Sequence, residues 1–260
     1  MVKSWQGQTG AQYNEPRQSR SLPARSVVRL ILACMGEMID LTAADGHHFA
    51  AWKVLPAGPP KGGLVIIQEI FGVTEQMKRC TERFADAGYA AILPAMFDRK
   101  QRNVLLGYGD FQQGGTLAMS IPEEQVLADV EAARRAVAGA GKTAITGYCW
   151  GGTIAYMAAC QLPFACAVSH YGSGIGRLTG RMTPKIPVLY HFGAKDAFIP
   201  PATIDQIRKA DPTGTFHVYE GADHGFACDD RASHHPGATA LAEQRTLEFL
   251  ARFMGQASAP

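Results

Sequence analysis

Short apolar runs alternate with amphipathic stretches along most of this chain, from residue 38 to residue 253. Apolar runs with β-branched side chains predict buried strands, whereas apolar side chains repeated every three or four residues predict helices. We predict strands over residues 38–42, 49–55, 63–68, 89–93, 143–146, 165–170, 186–192 and 215–219. Helices are predicted near residues 75–87, 121–137, 153–159, 202–210 and 237–253. The spacing Ser120-x-x-Glu123 predicts that Ser120 caps the second helix.

The regular alternation of strand and helix predicts an α/β fold, a mostly parallel sheet with helices on both faces. One stretch interrupts it, because residues 95–119 have no strong period and contain four glycines. This stretch leaves the carboxyl end of a predicted strand, the edge where open α/β sheets bind ligands. We therefore predict that it forms a loop on the substrate side of the sheet.

Length and composition fit one globular domain, which we place at residues 35–260 of a chain that is 47% apolar. Residues 1–34 carry five basic residues against one acidic residue. We expect them to form a disordered arm or to be upstream sequence included by the choice of start site. The whole chain has a charge of only +2, which gives no reason to expect a nucleic-acid partner. The apolar run at residues 27–34 is far shorter than the ~20 residues that span a bilayer, so no membrane partner is expected.

Six cysteines are spread along the chain without a Cys-x-x-Cys pair. In a domain of this size they are expected to be reduced thiols, which favours a cytoplasmic location. The adjacent histidine pairs His47-His48 and His234-His235 lack the i, i+4 spacing of helical metal ligands, and we predict no metal. A monomer and a small homo-oligomer are both compatible with these features.

The first indication of chemistry is the motif Gly147-Tyr148-Cys149-Trp150-Gly151-Gly152, between a predicted strand and a predicted helix. This is the context of a nucleophile elbow, with Cys149 in place of the usual serine. The chain folds back so tightly in an elbow that a Cβ at Gly147 or Gly151 would collide with its neighbours. A free cysteine on its own is more often a buried core thiol, so a catalytic role for Cys149 requires partners.

Two residues later in the chain can supply those partners. Asp196 follows one predicted strand and His224 follows the last one, which gives the α/β-hydrolase order of nucleophile, acid and histidine. His224 would carry protons, and Asp196 would orient its imidazole ring. Asp223 is a weaker candidate, because an immediate neighbour of His224 should point elsewhere. His170 and His191 lie in strands or at their ends, and we expect them to be packed or hydrogen-bonded.

These features resemble the dienelactone hydrolase family of α/β-hydrolases. The matching residues are Gln68-Glu69-Ile70-Phe71-Gly72, the cysteine elbow, Gly193-x-x-Asp196-x-x-x-Pro200 and His224-Gly225-Phe226. The resemblance extends over residues 37–254 and implies an α/β-hydrolase fold. It also implies hydrolysis of dienelactones, which are unsaturated lactones that carry a carboxylate, with no cofactor or metal.

The resemblance assigns roles to residues near the elbow. The glutamate that corresponds to Glu69 approaches the resting thiol and helps to generate thiolate when substrate binds. The backbone N–H groups of Ile70 and Trp150 are expected to stabilise the oxyanion of the tetrahedral intermediate.

Arg99 aligns with a family arginine that binds the substrate carboxylate, and an alternative is a solvated arginine paired with Asp98. A second carboxylate-binding arginine is expected four residues after His224. This chain has Cys228 at that position and Arg231 three residues further on. We therefore expect weaker binding of carboxylated lactones and better use of neutral activated esters or bulkier lactones.

The resulting hypothesis is a hydrolase of small lactones or activated esters that forms an acyl-thioester on Cys149. Because a thiolate is itself a good leaving group, the tetrahedral intermediate goes forward only if the departing oxygen leaves equally well. Enol esters meet this condition, whereas amides and alkyl esters do not, which disfavours peptidase and lipase activity. The rival hypothesis is a non-catalytic α/β scaffold in which Cys149 is a redox-sensitive or buried thiol.

Overall fold

The computed structural model describes residues 36–255, and the predicted arm at residues 1–34 lies outside the described residues. The strands are β1 Glu37–Thr42, β2 His48–Val54, β3 Gly63–Ile67, β4 Ala90–Pro94, β5 Thr143–Tyr148, β6 Ala167–His170, β7 Val188–Gly193 and β8 Thr215–Tyr219. The α-helices are α1 Glu75–Asp86, α2 Phe111–Ser120, α3 Glu123–Val137, α4 Trp150–Gln161, α5 Pro201–Ala210 and α6 Pro236–Met254. Short 3-10 helices span Met96–Arg99, Ala138–Ala140 and Ile175–Arg177.

All of these strands belong to one sheet, in the order β1-β2-β4-β3-β5-β6-β7-β8. β2 is antiparallel to both β1 and β4, and the other neighbours are parallel. Every residue of β3, β4, β5, β6 and β7 is buried, which requires cover on both faces of the sheet. The predicted α/β fold, a mostly parallel sheet with helices on both faces, is confirmed.

Two local predictions are wrong. The predicted loop at residues 95–119 contains a full helix, α2. Gly114 lowers the helical propensity of this segment, but a Cβ there would collide with the carbonyl group of Ile70, so the glycine lets α2 pack closely against the turn after β3. Ser120 does not cap α3, because its hydroxyl donates to the carbonyl of Leu117 within α2 at 2.7 Å and Pro122 precedes α3 instead.

The parallel strands bring the candidate site residues to one edge of the sheet. Cys149 directly follows β5, and Glu69 comes two residues after β3. Asp196 follows β7, and His224 lies in the loop after β8. Because the carboxyl ends of parallel strands meet at the same edge, four residues that are distant in sequence become neighbours.

Candidate active site

Cys149 occupies the turn between β5 and α4 in a strained backbone conformation. Its φ is 56° and its ψ is −116°, a combination that residues other than glycine rarely adopt. A Cβ on Gly147 would collide with the carbonyl of Gly151, and a Cβ on Gly151 would collide with the carbonyl of Ile67 at the end of β3. The two glycines therefore allow the turn to pack against its own helix and the adjacent strand, with the thiol at the sheet edge.

A chain of hydrogen bonds joins Cys149 to two later side chains. His224 Nε2 lies 3.1 Å from Cys149 Sγ, and His224 Nδ1 lies 2.8 Å from Asp196 Oδ2. The Asp196 side chain is fully buried, and its other oxygen accepts a hydrogen bond from Phe198 N–H at 2.9 Å. The imidazole ring is thus held with one nitrogen at the thiol and the other at the carboxylate, the geometry of a nucleophile–base–acid triad.

The competing residues have other partners. Asp223 Oδ1 accepts a hydrogen bond from the backbone N–H of His224 at 2.6 Å and so holds the loop rather than the imidazole ring. Both ring nitrogens of His191 are bonded to the hydroxyl groups of other side chains, and His170 stacks on His191 with 4.7 Å between ring centroids. Burial lowers the pKa of His170 to about 3 and the pKa of His191 well below its ordinary value, which keeps both rings neutral.

His224 is electrostatically different from these two histidines. Its burial alone would lower its pKa. The hydrogen bonds with Asp196 and Cys149, together with the negative charges on these partners, raise the pKa of His224 to about 10. The imidazolium form is therefore favoured at neutral pH, and it can donate a proton to a departing oxygen atom.

Two residues that line the same cavity as Cys149 lie at a helix start and in a turn, where backbone N–H groups can lack an acceptor. Trp150 is the first residue of α4, so its N–H has no acceptor within the helix, and Ile70 lies in the turn after β3. Neither N–H donates to another residue within the described part of the chain. Both residues line the cavity beside Cys149. The indole ring of Trp150 stacks on Phe97 with centroids 5.3 Å apart, which fixes the start of the helix.

Glu69 is buried and has a cationic partner. Its Oε1 lies 3.4 Å from Nη1 of Arg231, whose side chain is 11% exposed. Burial raises the pKa of Glu69, and the positive charges of Arg231 and His224 oppose that rise. Among residues 36–255, no hydrogen bond joins Glu69 to the thiol of Cys149. The carboxylate is paired with the arginine in this structure, rather than with Cys149.

A cavity of about 610 Å³ opens onto Cys149 and His224. Most of its wall is apolar, and its basic side chains are Arg177, Arg181 and Arg231. Arg181 forms an ion pair with Glu123 at the start of α3. Sequence reasoning did not single out Arg177 or Arg181, because nothing local marks a surface arginine as part of a cavity wall.

Arg99 does not reach this cavity, and its predicted role in carboxylate binding is corrected. Its guanidinium forms two hydrogen bonds of 2.8 Å with Asp129, which is 1% exposed, and one of 2.6 Å with Asp45. Its side chain is only 6% exposed, and Asp98 instead accepts a hydrogen bond from the backbone of Ala50. Arg99 therefore joins α3 to the β1–β2 turn through its ion pairs with Asp129 and Asp45.

Cys228 also does not face the cavity. It is 1% exposed, and burial raises the pKa of its thiol to about 11. Arg231 reaches the cavity wall in its place, with its guanidinium carbon 5.7 Å from the ring centroid of Phe71 and 5.6 Å from that of Phe111. The loop after β8 thus still places a cation at the wall of the cavity that Cys149 lines, although this cation is at position 231 rather than 228.

Tyr171 is a site residue that the sequence reasoning missed. It directly follows β6 at the same sheet edge, and its φ of 40° is one of only three positive values at non-glycine residues in the described part of the chain. Its ring meets the His224 ring edge-on, with centroids 5.2 Å apart, and its hydroxyl group is among the groups that oppose the rise in the pKa of Glu69. Its position just past a central parallel strand was the available signal.

The sequence profile of the dienelactone hydrolase family matches residues 49–254. A carboxymethylenebutenolidase from Pseudomonas putida is 34% identical over 226 residues, which cover 83% of this chain and 96% of that protein.

The chain belongs to the dienelactone hydrolase family.

A crystal structure of a Klebsiella pneumoniae protein assigned to the dienelactone hydrolases is 31% identical, with a TM-score of 0.71 over 84% of this chain and 100% of that one. An esterase from Pyrococcus furiosus shares the fold, with a TM-score of 0.62 at 13% identity over 94% of this chain and 100% of that one.

Membership of the dienelactone hydrolase family supports hydrolase activity on small, lactone-like molecules. The five cysteines within residues 36–255 are free thiols. No group of three metal-ligating side chains comes together in that part of the chain. No helix there is long and apolar enough to cross a membrane.

The corrected role of Arg99 predicts a loss of stability rather than a loss of substrate binding. Replacing Arg99 with alanine leaves the buried Asp129 carboxylate without its counter-ion, which should lower the free energy of unfolding by about 3 kcal/mol. Arg135→Ala is the matched control, because that arginine is 67% exposed and pairs with Glu131 at the surface. It should cost less than about 1 kcal/mol. A stable Arg99→Ala protein with a raised KM for a carboxylated lactone would restore the binding role.

The raised pKa of His224 predicts a pH-dependent stability. A pKa raised from 6.5 to about 10 stabilises the fold fully below pH 6.5, and this contribution is lost as pH rises through 10. The difference in unfolding free energy between the parent and His224→Gln should therefore shrink from pH 6 to pH 10 in denaturant titrations. A His224→Gln difference that stays constant from pH 6 to pH 10 would contradict the assignment.

Proposed function

We propose that this chain is a carboxylic ester hydrolase that opens lactones or cleaves activated esters through an acyl-thioester on Cys149. The observation that carries the proposal is the hydrogen-bonded chain from Cys149 Sγ through His224 to Asp196, at 3.1 Å and 2.8 Å, on a strained strand-to-helix turn. A buried thiol without a catalytic role needs neither the imidazole nor the unusual backbone conformation.

In the first half of the reaction, the thiolate of Cys149 attacks the ester carbonyl carbon. The carbonyl oxygen becomes an oxyanion, and the N–H groups of Ile70 and Trp150 are the donors that can stabilise it. The imidazolium of His224 then protonates the departing alkoxide or enolate as the C–O bond breaks. The product of this step is the acyl-thioester and the free alcohol or enol.

In the second half, water replaces the departed group. His224 takes a proton from the water molecule as the oxygen attacks the thioester carbonyl carbon, and the thiolate leaves. Asp196 keeps the Nδ1 proton of the ring facing the carboxylate through both halves, so Nε2 remains available for proton transfer. No step requires a metal or a cofactor.

Glu69 and Arg231 have supporting roles in this scheme. A carboxylate on the substrate would compete with Glu69 for Arg231, because both anions seek the same cation. A released Glu69 is an anion next to His224 and can accept the thiol proton, the role that the family resemblance implies. With a neutral ester Glu69 stays on Arg231, and His224 Nε2, 3.1 Å from Sγ, accepts the thiol proton instead. Arg231 thus replaces the arginine that the family has at position 228, and Arg99 has no part in binding.

The nucleophile assignment predicts the behaviour of Cys149→Ala. The variant should fold normally and lose essentially all hydrolysis of an aryl acetate, because only the attacking atom is removed. Cys160→Ala, at another buried thiol away from the cavity, should keep parental activity. Iodoacetamide should alkylate Cys149 stoichiometrically near pH 7, and an ester-like ligand should protect it. A folded Cys149→Ala protein with parental activity would favour the non-catalytic scaffold instead.

The two neighbouring aspartates should differ in their effect on turnover. Asp196→Asn removes the carboxylate that orients His224, and a comparable change in a serine triad lowers kcat ~10⁴-fold. Asp223→Asn alters only a contact with the backbone N–H of His224, so we expect a far smaller loss in steady-state kcat. Equal losses at both positions would show that the orienting acid has been assigned wrongly.

A further inference from the structure

The cavity beside Cys149 is a cleft lined by residues of two helices, α2 and α4. Its lining residues on α4 are Trp150, Thr153, Ile154 and Met157. These positions are spaced i, i+3, i+4 and i+7, so they share one face of the helix. At 1.5 Å per residue they extend the cleft by about 10 Å from the nucleophile at the start of α4.

The opposite wall of the cleft is α2. Phe111, Gly115, Ala118 and Met119 line the cavity, and they again occupy a single helix face over about 12 Å. Ile121 and Val126 close the wall between α2 and α3. Of the charged lining residues, Arg181 pairs with Glu123, Arg231 pairs with Glu69, and Arg177 is exposed to solvent. The cleft between the two helices therefore presents mainly aliphatic and aromatic surface.

This cleft is too large for a small butenolide. Its volume of about 610 Å³ falls within the ~300–1,000 Å³ typical of sites for drug-sized ligands. A five-membered lactone with one short substituent would leave most of the apolar wall in contact with water. Apolar surface of this extent is favourable only when a ligand covers it.

The triad indicates which half of the substrate enters the cleft. His224 Nε2 must reach the departing oxygen, so the leaving group lies on the His224 side of the thiol. Phe198 contacts the His224 ring there, with centroids 5.1 Å apart, and is 69% exposed although it lines the cavity, so it marks the solvent-facing rim. A leaving group at this rim leaves the walls formed by α2 and α4 for the acyl group.

We propose that the acyl half of the substrate carries an extended apolar substituent that lies in the cleft between α2 and α4. The inference rests on the proposed function, because it takes Cys149 as the nucleophile and His224 as the proton donor. The substrate class is therefore a lactone or activated ester with an acyl chain well beyond two carbons, rather than a small carboxylated lactone.

The test is a series of p-nitrophenyl esters from acetate to octanoate, which share one leaving group. Each buried methylene should raise kcat/KM by at most about fourfold. We expect kcat/KM to be at least about tenfold higher for hexanoate than for acetate, a gain well within that limit. Equal or falling kcat/KM along the series would overturn the inference.

Gly115 offers a variant that fills the cleft without damaging the fold. A Cβ at Gly115 meets nothing within 4 Å, and leucine is a better helix former than glycine, so Gly115→Leu should fold at least as well as the parent. Its side chain would occupy the space of the acyl substituent, and the hexanoate-to-acetate ratio should fall about tenfold. Gly139→Leu is the matched control, since that glycine also has no neighbour within 4 Å and lies outside the cleft.

The possible outcomes separate this inference from the proposed function. If acetate hydrolysis depends on Cys149 but the ratio is unaffected by Gly115→Leu, the acyl chain does not lie in the cleft and the proposed function still stands. If Cys149→Ala hydrolyses the esters as fast as the parent, the proposed function fails and the inference falls with it. A ratio that falls equally in Gly139→Leu also overturns the inference, because the effect would then not be local to the cleft.

Discussion

The backbone conformation of Cys149 is the constraint on which the rest of the site depends. A residue at φ 56° and ψ −116° is held only if its surroundings determine it, and here the surroundings are two carbonyl groups that approach Gly147 and Gly151 closely. One of these carbonyls belongs to the end of β3, which also leads into Glu69 and Ile70. The packing that strains Cys149 therefore also brings Glu69 and Ile70 to the same edge of the sheet.

Burial and charge act together around this turn. The Asp196 side chain is fully buried, and its oxygens are bonded to Phe198 N–H and to His224. Its carboxylate opposes the lowering of the His224 pKa that burial causes. His170 and His191 are also buried but lack a carboxylate partner, and their pKa values fall instead. The described part of the chain thus contains buried histidines with opposite protonation behaviour, and the difference lies in the partners of His224, a carboxylate at 2.8 Å and a thiol at 3.1 Å.

The fold and the neighbourhood of the elbow could be predicted from sequence because both depend on local patterns. The strands are apolar runs, and glycines on either side of Cys149 mark a turn with no space for a Cβ. The role of Arg99 could not be predicted, because its partner Asp129 lies 30 residues away on another element. Helix α2 was missed because its glycines lower the helical propensity of the segment. Gly114 is required by its close contact with the carbonyl group of Ile70, and this contact between distant segments cannot be seen in the sequence.

The charges beside the cleft explain how an apolar cavity can open onto a polar active site. Glu69 with Arg231, and Asp196 with His224, form two pairs in which each charge has its counter-ion within 3.4 Å. An unpaired charge buried in such a wall would require water in the cavity, because the cost of removing an ion from water is compensated only by a close partner. Arg177, the other arginine of the lining, is exposed and keeps its contact with solvent. Since Arg231 is already paired, a carboxylated substrate must displace Glu69 before it binds, whereas a neutral ester leaves both pairs intact. In the proposed reaction, the same arrangement that keeps the cleft apolar would therefore disfavour small anionic lactones relative to neutral, bulkier esters.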